Sequence, residues 1–120
     1  MPRDPAKLEV FHLGHQLVLD LYPLTRVLPA SERFGLQAQI RRAACSVPTN
    51  IVEGCARTSA REYARFLGMA LGSAAEVGYL LRLAGDLGLL SGPELLRCKK
   101  SSEHVARALQ KLQQAASGFE

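Results

Sequence analysis

Four stretches of this chain carry apolar residues at alternating steps of three and four, and that spacing leaves few folds open to it. In the last stretch Leu95, Cys98, Ser102, Val105, Leu109, Leu112 and Ala116 follow an unbroken 3,4,3,4,3,4 heptad. Residues with that period line one side of an α-helix but scatter over both faces of a strand, so only the helix buries them against a single neighbour. A seam of this kind is the geometry of coiled coils and helical bundles. The first stretch repeats the pattern at Val10, Leu13, Leu17, Leu21, Leu24 and Leu28, and the second at Leu36, Ile40, Ala43, Val47 and Ile51. The third carries it at Tyr63, Phe66, Ala70, Ala74, Val77, Leu81 and Ala84.

The residues between the stripes punctuate them. Asp4-Pro5 reads as an N-cap followed by proline at the first helical position, which opens a helix over about 5–28, kinked at Pro23 and ended by Pro29. A second helix is predicted over about 32–57, from near Ser31. It contains Pro48, and an interior proline costs about 3 kcal/mol. Val47 and Ile51 stay in phase across it, so the helix is expected to bend there without breaking. Ser59-Ala60-Arg61-Glu62 is a capping box for a third helix over about 60–87, and Ser91-Gly92-Pro93-Glu94 offers a second such box for a fourth over about 92–116. A chain of 120 residues is the size of one domain. Four amphipathic helices on short turns close most simply into an all-α, antiparallel up-down four-helix bundle spanning 1–120.

Several function classes are disfavoured. Apolar runs such as Leu80 to Ala84 are interrupted well short of a membrane span of about 18 residues, so no membrane association is expected. Met1-Pro2-Arg3-Asp4-Pro5 lacks the basic and apolar regions of a signal peptide, and a cytoplasmic location is the expectation. Cys45, Cys55 and Cys98 are odd in number and show no CxxC spacing, which indicates neither a disulfide framework nor a zinc site. His12 and His15 share a permissible metal spacing, but no cysteine accompanies them and Asp20 lies more than a turn away. Ser46 has no His or Asp relay in the local sequence, and no glycine-rich phosphate loop follows a strand. The expectation is a non-enzymatic protein without metal, cofactor or small-molecule substrate.

Charge and small residues give the positive signals. Arg33, Arg41, Arg42, Arg57, Arg61 and Arg65 stand against Glu53 and Glu62 in one segment, which accounts for the whole net charge of +4. Such a basic centre suits a polyanion or an acidic partner, and a solvated face is the alternative. On the second helix Gln39, Arg42, Ser46, Asn50, Glu53 and Arg57 step 3,4,4,3,4 into a polar stripe beside the apolar one. Short polar side chains next to a proline suit bonds to backbone or to a facing helix, so the stripe reads as a structural or subunit-contact network, or else as a ligand surface. Glu53 and Arg57 form a candidate i,i+4 ion pair. The third helix has a face of Ala60, Ala64, Gly68, Gly72 and Ala75. Each interior glycine costs about 1 kcal/mol relative to alanine, so a close neighbour must offset it, in this bundle or in a second subunit.

The run from Gln39 to Gly54, Gln-Ile-Arg-Arg-Ala-Ala-Cys-Ser-Val-Pro-Thr-Asn-Ile-Val-Glu-Gly, is followed by Arg57, Phe66-Leu67, Ala70, Gly72-Ser73 and Glu76. It resembles the signature of the bacterial four-helix bundle proteins encoded by intervening sequences in 23S ribosomal RNA genes. The resemblance spans Phe11 to Leu90, with the last helix matching in pattern alone, and Val10-Phe11-His12 lacks the Trp that many members carry there. That family is related by fold to the accessory variability determinant proteins of diversity-generating retroelements, and members of both assemble as barrel-like pentamers. The resemblance therefore implies a homopentamer, and the polar stripe and the small-residue face supply Gln39, Ser46, Asn50, Glu53, Gly68 and Gly72 as candidate subunit contacts. It also implies RNA or DNA binding, for which Arg41, Arg42, Arg57, Arg61, Arg65, Lys99 and Lys100 are the candidate phosphate ligands. The rival expectation is a scaffold that binds a protein, such as a reverse transcriptase, through the same basic surface.

Overall fold

The computed structural model describes residues 2–117. Four helices, α1 (Glu9–Thr25), α2 (Leu36–Cys55), α3 (Ala60–Asp86) and α4 (Gly92–Ser117), are joined by short connections, and two single 3-10 turns lie at Pro5–Lys7 and Ala30–Glu32. Each helix runs opposite to the one before it: Gly14 faces Val47 while Thr25 meets Arg41, and Gly54 faces Phe66 while Ser46 meets Ser73. The bundle closes through α1 and α4, and α2 and α4 lie across its diagonal. The antiparallel up-down arrangement expected from the four stripes is the one found.

The helix ends differ from expectation in instructive ways. The Asp4 carboxylate does cap, accepting from the Ala6 N–H at 3.0 Å, but it caps only the 3-10 turn. At Leu8 the backbone turns extended (φ −101°, ψ 121°), and α1 starts at Glu9. The second helix starts at Leu36, not near Ser31, because Ala30–Glu32 forms its own turn and the Glu32 carboxylate accepts from the Leu36 N–H at 3.0 Å. The capping box of α3 is half made. Ser59 Oγ accepts from the Glu62 N–H at 3.1 Å, while the Glu62 carboxylate turns away to Arg65. At α4 no hydrogen bond of the Ser91 hydroxyl is found among the described residues, and Gly92 opens the helix with φ +90°. The end of α3 is a Schellman motif: Gly88, at φ +73°, donates to Gly85 O, and Leu89 donates to Ala84 O.

Pro48 does not interrupt α2, and Val47 and Ile51 on either side of it are fully buried. Gly14 of α1 makes room for this region, since a Cβ there would lie 3.1 Å from Val47 Cγ1. Every apolar-stripe residue is buried except Leu13, Leu112 and Ala116, which are half-buried; Leu13 and Leu112 border the seam between α1 and α4, and Ala116 lies beside the N-terminal segment and Tyr63. That seam is the least extensively packed of the four, whereas α3 packs broadly on both α2 and α4. By length and mean hydropathy α3 has what a segment needs to cross a membrane; in the bundle its apolar side is taken up by its two neighbours.

At Gly54, α2 comes close to the backbone of α3. A Cβ at this position would sit 2.9 Å from Phe66 Cβ and 3.4 Å from the Tyr63 carbonyl oxygen, atoms that move only with the backbone of α3. Replacing Gly54 by Ala gains about 1 kcal/mol of helix propensity, but overpacking costs about 1–3 kcal/mol. Gly54→Ala is therefore expected to lower the urea midpoint of unfolding; an unchanged or raised midpoint contradicts the packing described.

Candidate nucleic-acid interface

The cations expected to form one basic surface are spread over three regions. Arg41 is a structural residue. Its Nε donates to the buried Thr25 Oγ1 at 2.9 Å, one terminal nitrogen donates to the Tyr22 carbonyl at 3.2 Å, and its guanidinium lies 4.3 Å from the Tyr22 ring centroid. Gln37 adds a bond to the Thr25 carbonyl at 3.0 Å. The last turn of α1 has no basic residue of its own, so α2 supplies the donors that its terminal carbonyls require. Arg42 and Gln39 are exposed on the outer side of α2. Lys99 and Lys100 belong to α4, on the far diagonal from α2. Lys99 is half-buried in the α3–α4 groove beside Arg82 and Asp86, and Lys100 is exposed on the α1 side.

Arg57, Arg61 and Arg65 do come together, around the turn between α2 and α3. The guanidiniums of Arg57 and Arg65 lie 4.7 and 4.6 Å from the Phe66 ring centroid. Arg3 joins this end of the bundle, because its N–H bonds the Cys55 carbonyl at 2.8 Å and its guanidinium lies 3.7 Å from the centroid of Tyr63. Both rings are buried beneath these cations. Arg65 is held further by two bonds to the Glu62 carboxylate, at 3.0 and 3.2 Å, which keep that carboxyl below its ordinary pKa and raise the guanidinium's. The side chains of Arg3, Arg57 and Arg61 make no hydrogen bond or ion pair among the described residues. The expected Glu53–Arg57 pair is not formed, since the guanidinium goes to the aromatic ring instead and Glu53 stays exposed.

In the polar stripe, Ser46 and Asn50 turn to α3 and to their own backbone. The Ser46 and Ser73 hydroxyls meet at 2.8 Å, and Asn50 Nδ2 donates to the Ser46 carbonyl at 2.8 Å and to its hydroxyl at 2.9 Å. The small-residue face of α3 divides. Ala64 and Gly68 receive Gln113 of α4, whose amide donates to the Ala64 carbonyl at 3.3 Å and would lie 2.6 Å from a Cβ on Gly68. Gly72 faces outward, with nothing within 4 Å of a Cβ placed there.

Groups capable of other chemistry are dispersed. His12 Nε2 bonds the Ala6 carbonyl at 2.7 Å while His15 stacks on Phe11, and no cluster of three His, Cys, Asp or Glu side chains occurs among the described residues. Cys55 and Cys98 are buried, and burial pushes both thiols up, away from the reactive thiolate. One arrangement escaped the segment-wise charge count. Arg97, Lys100, His104, Arg107 and Lys111 step 3,4,3,4 along α4 and are all exposed on one side of it. Glu94 and Glu103 offset part of their charge in a sum over the segment but lie off the row; the periodicity that reveals a buried stripe reveals this one too.

This is the architecture of a helical bundle whose polar groups mostly serve its own seams and whose free cations lie at one end and along one helix. The chain belongs to the 23S rRNA-intervening sequence protein family, whose model matches residues 6–111. A crystal structure of a protein of unknown function from the S23 ribosomal protein family of Bacteroides thetaiotaomicron superposes with a TM-score of 0.81, covering 88% of this chain and 98% of that one. At 21% identity the likeness is one of fold. No curated protein sequence matches significantly.

The role assigned to Arg41 has a direct consequence. Arg41→Ala removes donors from the partly buried end of α1 and is expected to cost about 1–3 kcal/mol of stability. Arg41→Lys should recover little, because one ammonium cannot reproduce the fork that spans Thr25 and Tyr22. Urea titration of the two variants checks this; full stability in Arg41→Ala contradicts it.

Proposed function

We propose that this protein is a non-enzymatic, self-associating helical bundle that binds nucleic acid through phosphate contacts at the α2–α3 end. The observation that carries the reading is the group of four guanidiniums there, three of them laid over buried aromatic rings. A guanidinium held by its flat face keeps its N–H edge for an acceptor and loses less side-chain entropy on binding. Arg3, Arg57 and Arg61 are the contacts with free edges, and Arg65 serves mainly to hold Glu62. Tyr63 and Phe66 lie under the cations and offer no exposed platform for bases, so contact is to phosphate and sequence selectivity is weak. The family's description ties it to sequences that interrupt 23S ribosomal RNA, which supports structured RNA as the first probe.

Self-association is supported by the resemblance to pentameric bundles and by Gly72. A mid-helix glycine costs about 1 kcal/mol relative to alanine, and nothing within this chain approaches it. It lies between the exposed Met69 and Tyr79 on the outer face of α3, where the backbone is open to a second copy.

Replacing Arg3, Arg57 and Arg61 by Gln should weaken RNA binding similarly for all sequences and reduce the salt dependence by roughly 0.7–0.9 in log–log slope for each phosphate no longer neutralised. Changing Lys99 and Lys100 to Gln should leave it nearly intact. Fluorescence anisotropy across a salt series decides; a triple variant that binds like the parent at every salt concentration refutes the site. In sedimentation equilibrium the parent should exceed 13.0 kDa, and Gly72→Leu should shift it toward that mass with its helicity retained.

A further inference from the structure

We propose that the seam between α1 and α4 is a docking groove for an acidic amphipathic helix of a partner protein. The seam is open along much of its length. A cleft of about 340 Å³ floored by Val10, Leu13, Ala108 and Leu112 continues into a second of about 320 Å³, and the two share Leu13 and His104. Two of the three stripe residues that the bundle leaves half-exposed, Leu13 and Leu112, lie in this floor. One rim is the row Arg97, Lys100, His104, Arg107 and Lys111, which extends about 21 Å along α4 at 1.5 Å per residue. None of the five has an acidic partner within ion-pair distance among the described residues. The other rim is of opposite character, with Glu9 and Gln16 on α1.

An apolar floor between a basic rim and a polar, partly acidic one selects its occupant. A helix lying in the groove places apolar side chains at i, i+3, i+4 and i+7 on the floor and carboxylates at the same steps along one edge, in register with the cations. Its opposite edge is polar or basic, toward Glu9. Nucleic acid suits the groove less well: Glu9 repels a phosphate backbone, and the aliphatic floor has no aromatic face on which to stack a base. A second copy of this chain suits it less well too, because none of its own helices carries acids at successive steps of three and four. The three on α3, Glu62, Glu76 and Asp86, are ten or more residues apart, and Glu62 and Asp86 pair with Arg65 and Arg82. The groove reaches the same end of the bundle as the proposed phosphate site, but its cations are none of Arg3, Arg57, Arg61 and Arg65, so either assignment can fail without the other.

The test uses the full chain and a labelled synthetic helix of about 16 residues, with Glu along one edge, Leu on one face and Lys on the other edge. A scrambled peptide of the same composition is the control. The parent should bind the helix and not the scramble. Arg107→Glu with Lys111→Glu should weaken binding by about tenfold or more, and a peptide with Lys in place of the edge Glu should restore it to that variant. Circular dichroism shows whether the variant keeps its fold; if it does not, Arg107→Gln with Lys111→Gln replaces it, with a smaller loss expected. Failure of the parent to bind, equal binding of the scramble, or no recovery in the charge swap overturns the proposal. So do two other outcomes: loss of structured-RNA binding in the variant, which makes the row a nucleic-acid site, and a fall in sedimentation mass, which makes the occupant a second copy.

Discussion

The close approach of α2 to α3 is the contact on which the rest of the molecule depends. At Gly54 the two backbones come together with no room for a methyl group, and Phe66 and Tyr63 fill the space that a side chain would otherwise occupy. From there toward the other end, Ile51 and Val47 enter the core, and the Ser46–Ser73 hydroxyl pair, braced by Asn50, fixes the register. The same approach carries Phe66 and Tyr63 to the α2–α3 end, where they become the surfaces on which Arg57, Arg65 and Arg3 rest. An internal packing constraint thus sets the geometry of an external charged site.

The run that carries the family resemblance is, on this view, mostly architectural. Arg41 finishes α1, Val47 and Pro48 pack against Gly14, Ser46 and Asn50 lock α3, and Gly54 admits Phe66. Few of these side chains are left to meet a ligand. The recognisable run and the residues proposed to face a ligand are therefore largely different sets, so membership of the family speaks to the bundle more than to any ligand.

The architecture was legible because burial has a period. The four stripes name most of the core, missing Ala44, Cys55, Ala64, Leu67, Leu80 and Leu90, and Leu13 and Leu112 fall short because the α1–α4 seam is open. Helix ends were less legible, since a carboxylate that can cap a helix can equally cap a 3-10 turn, as Asp4 does, and a neighbour such as Arg65 can draw Glu62 away from the backbone. The candidate site was read only in part. Counting charge by segment groups residues that are near in sequence, but Arg41 and Arg57 are sixteen residues apart, about 24 Å along a helix, and Lys99 and Lys100 lie on the opposite diagonal. Counting by helical face would have separated them and disclosed the row on α4.

Under the proposed function, the run from Gln39 to Gly54 holds the bundle while cations outside it bind nucleic acid. Hydrogen exchange with mass spectrometry, with and without structured RNA, tests this most directly, because local opening free energies rank with packing. The α2–α3 amides around Val47–Ile51 and Ala70–Val77 should be the slowest, and the amino-terminal half of α1 and the carboxy-terminal half of α4 should exchange sooner. Added RNA should slow exchange across the 56–65 segment and leave 46–51 unchanged. Rapid exchange at 46–51 in the free protein, or RNA-induced protection centred there, would show the signature to be a binding surface and contradict the account.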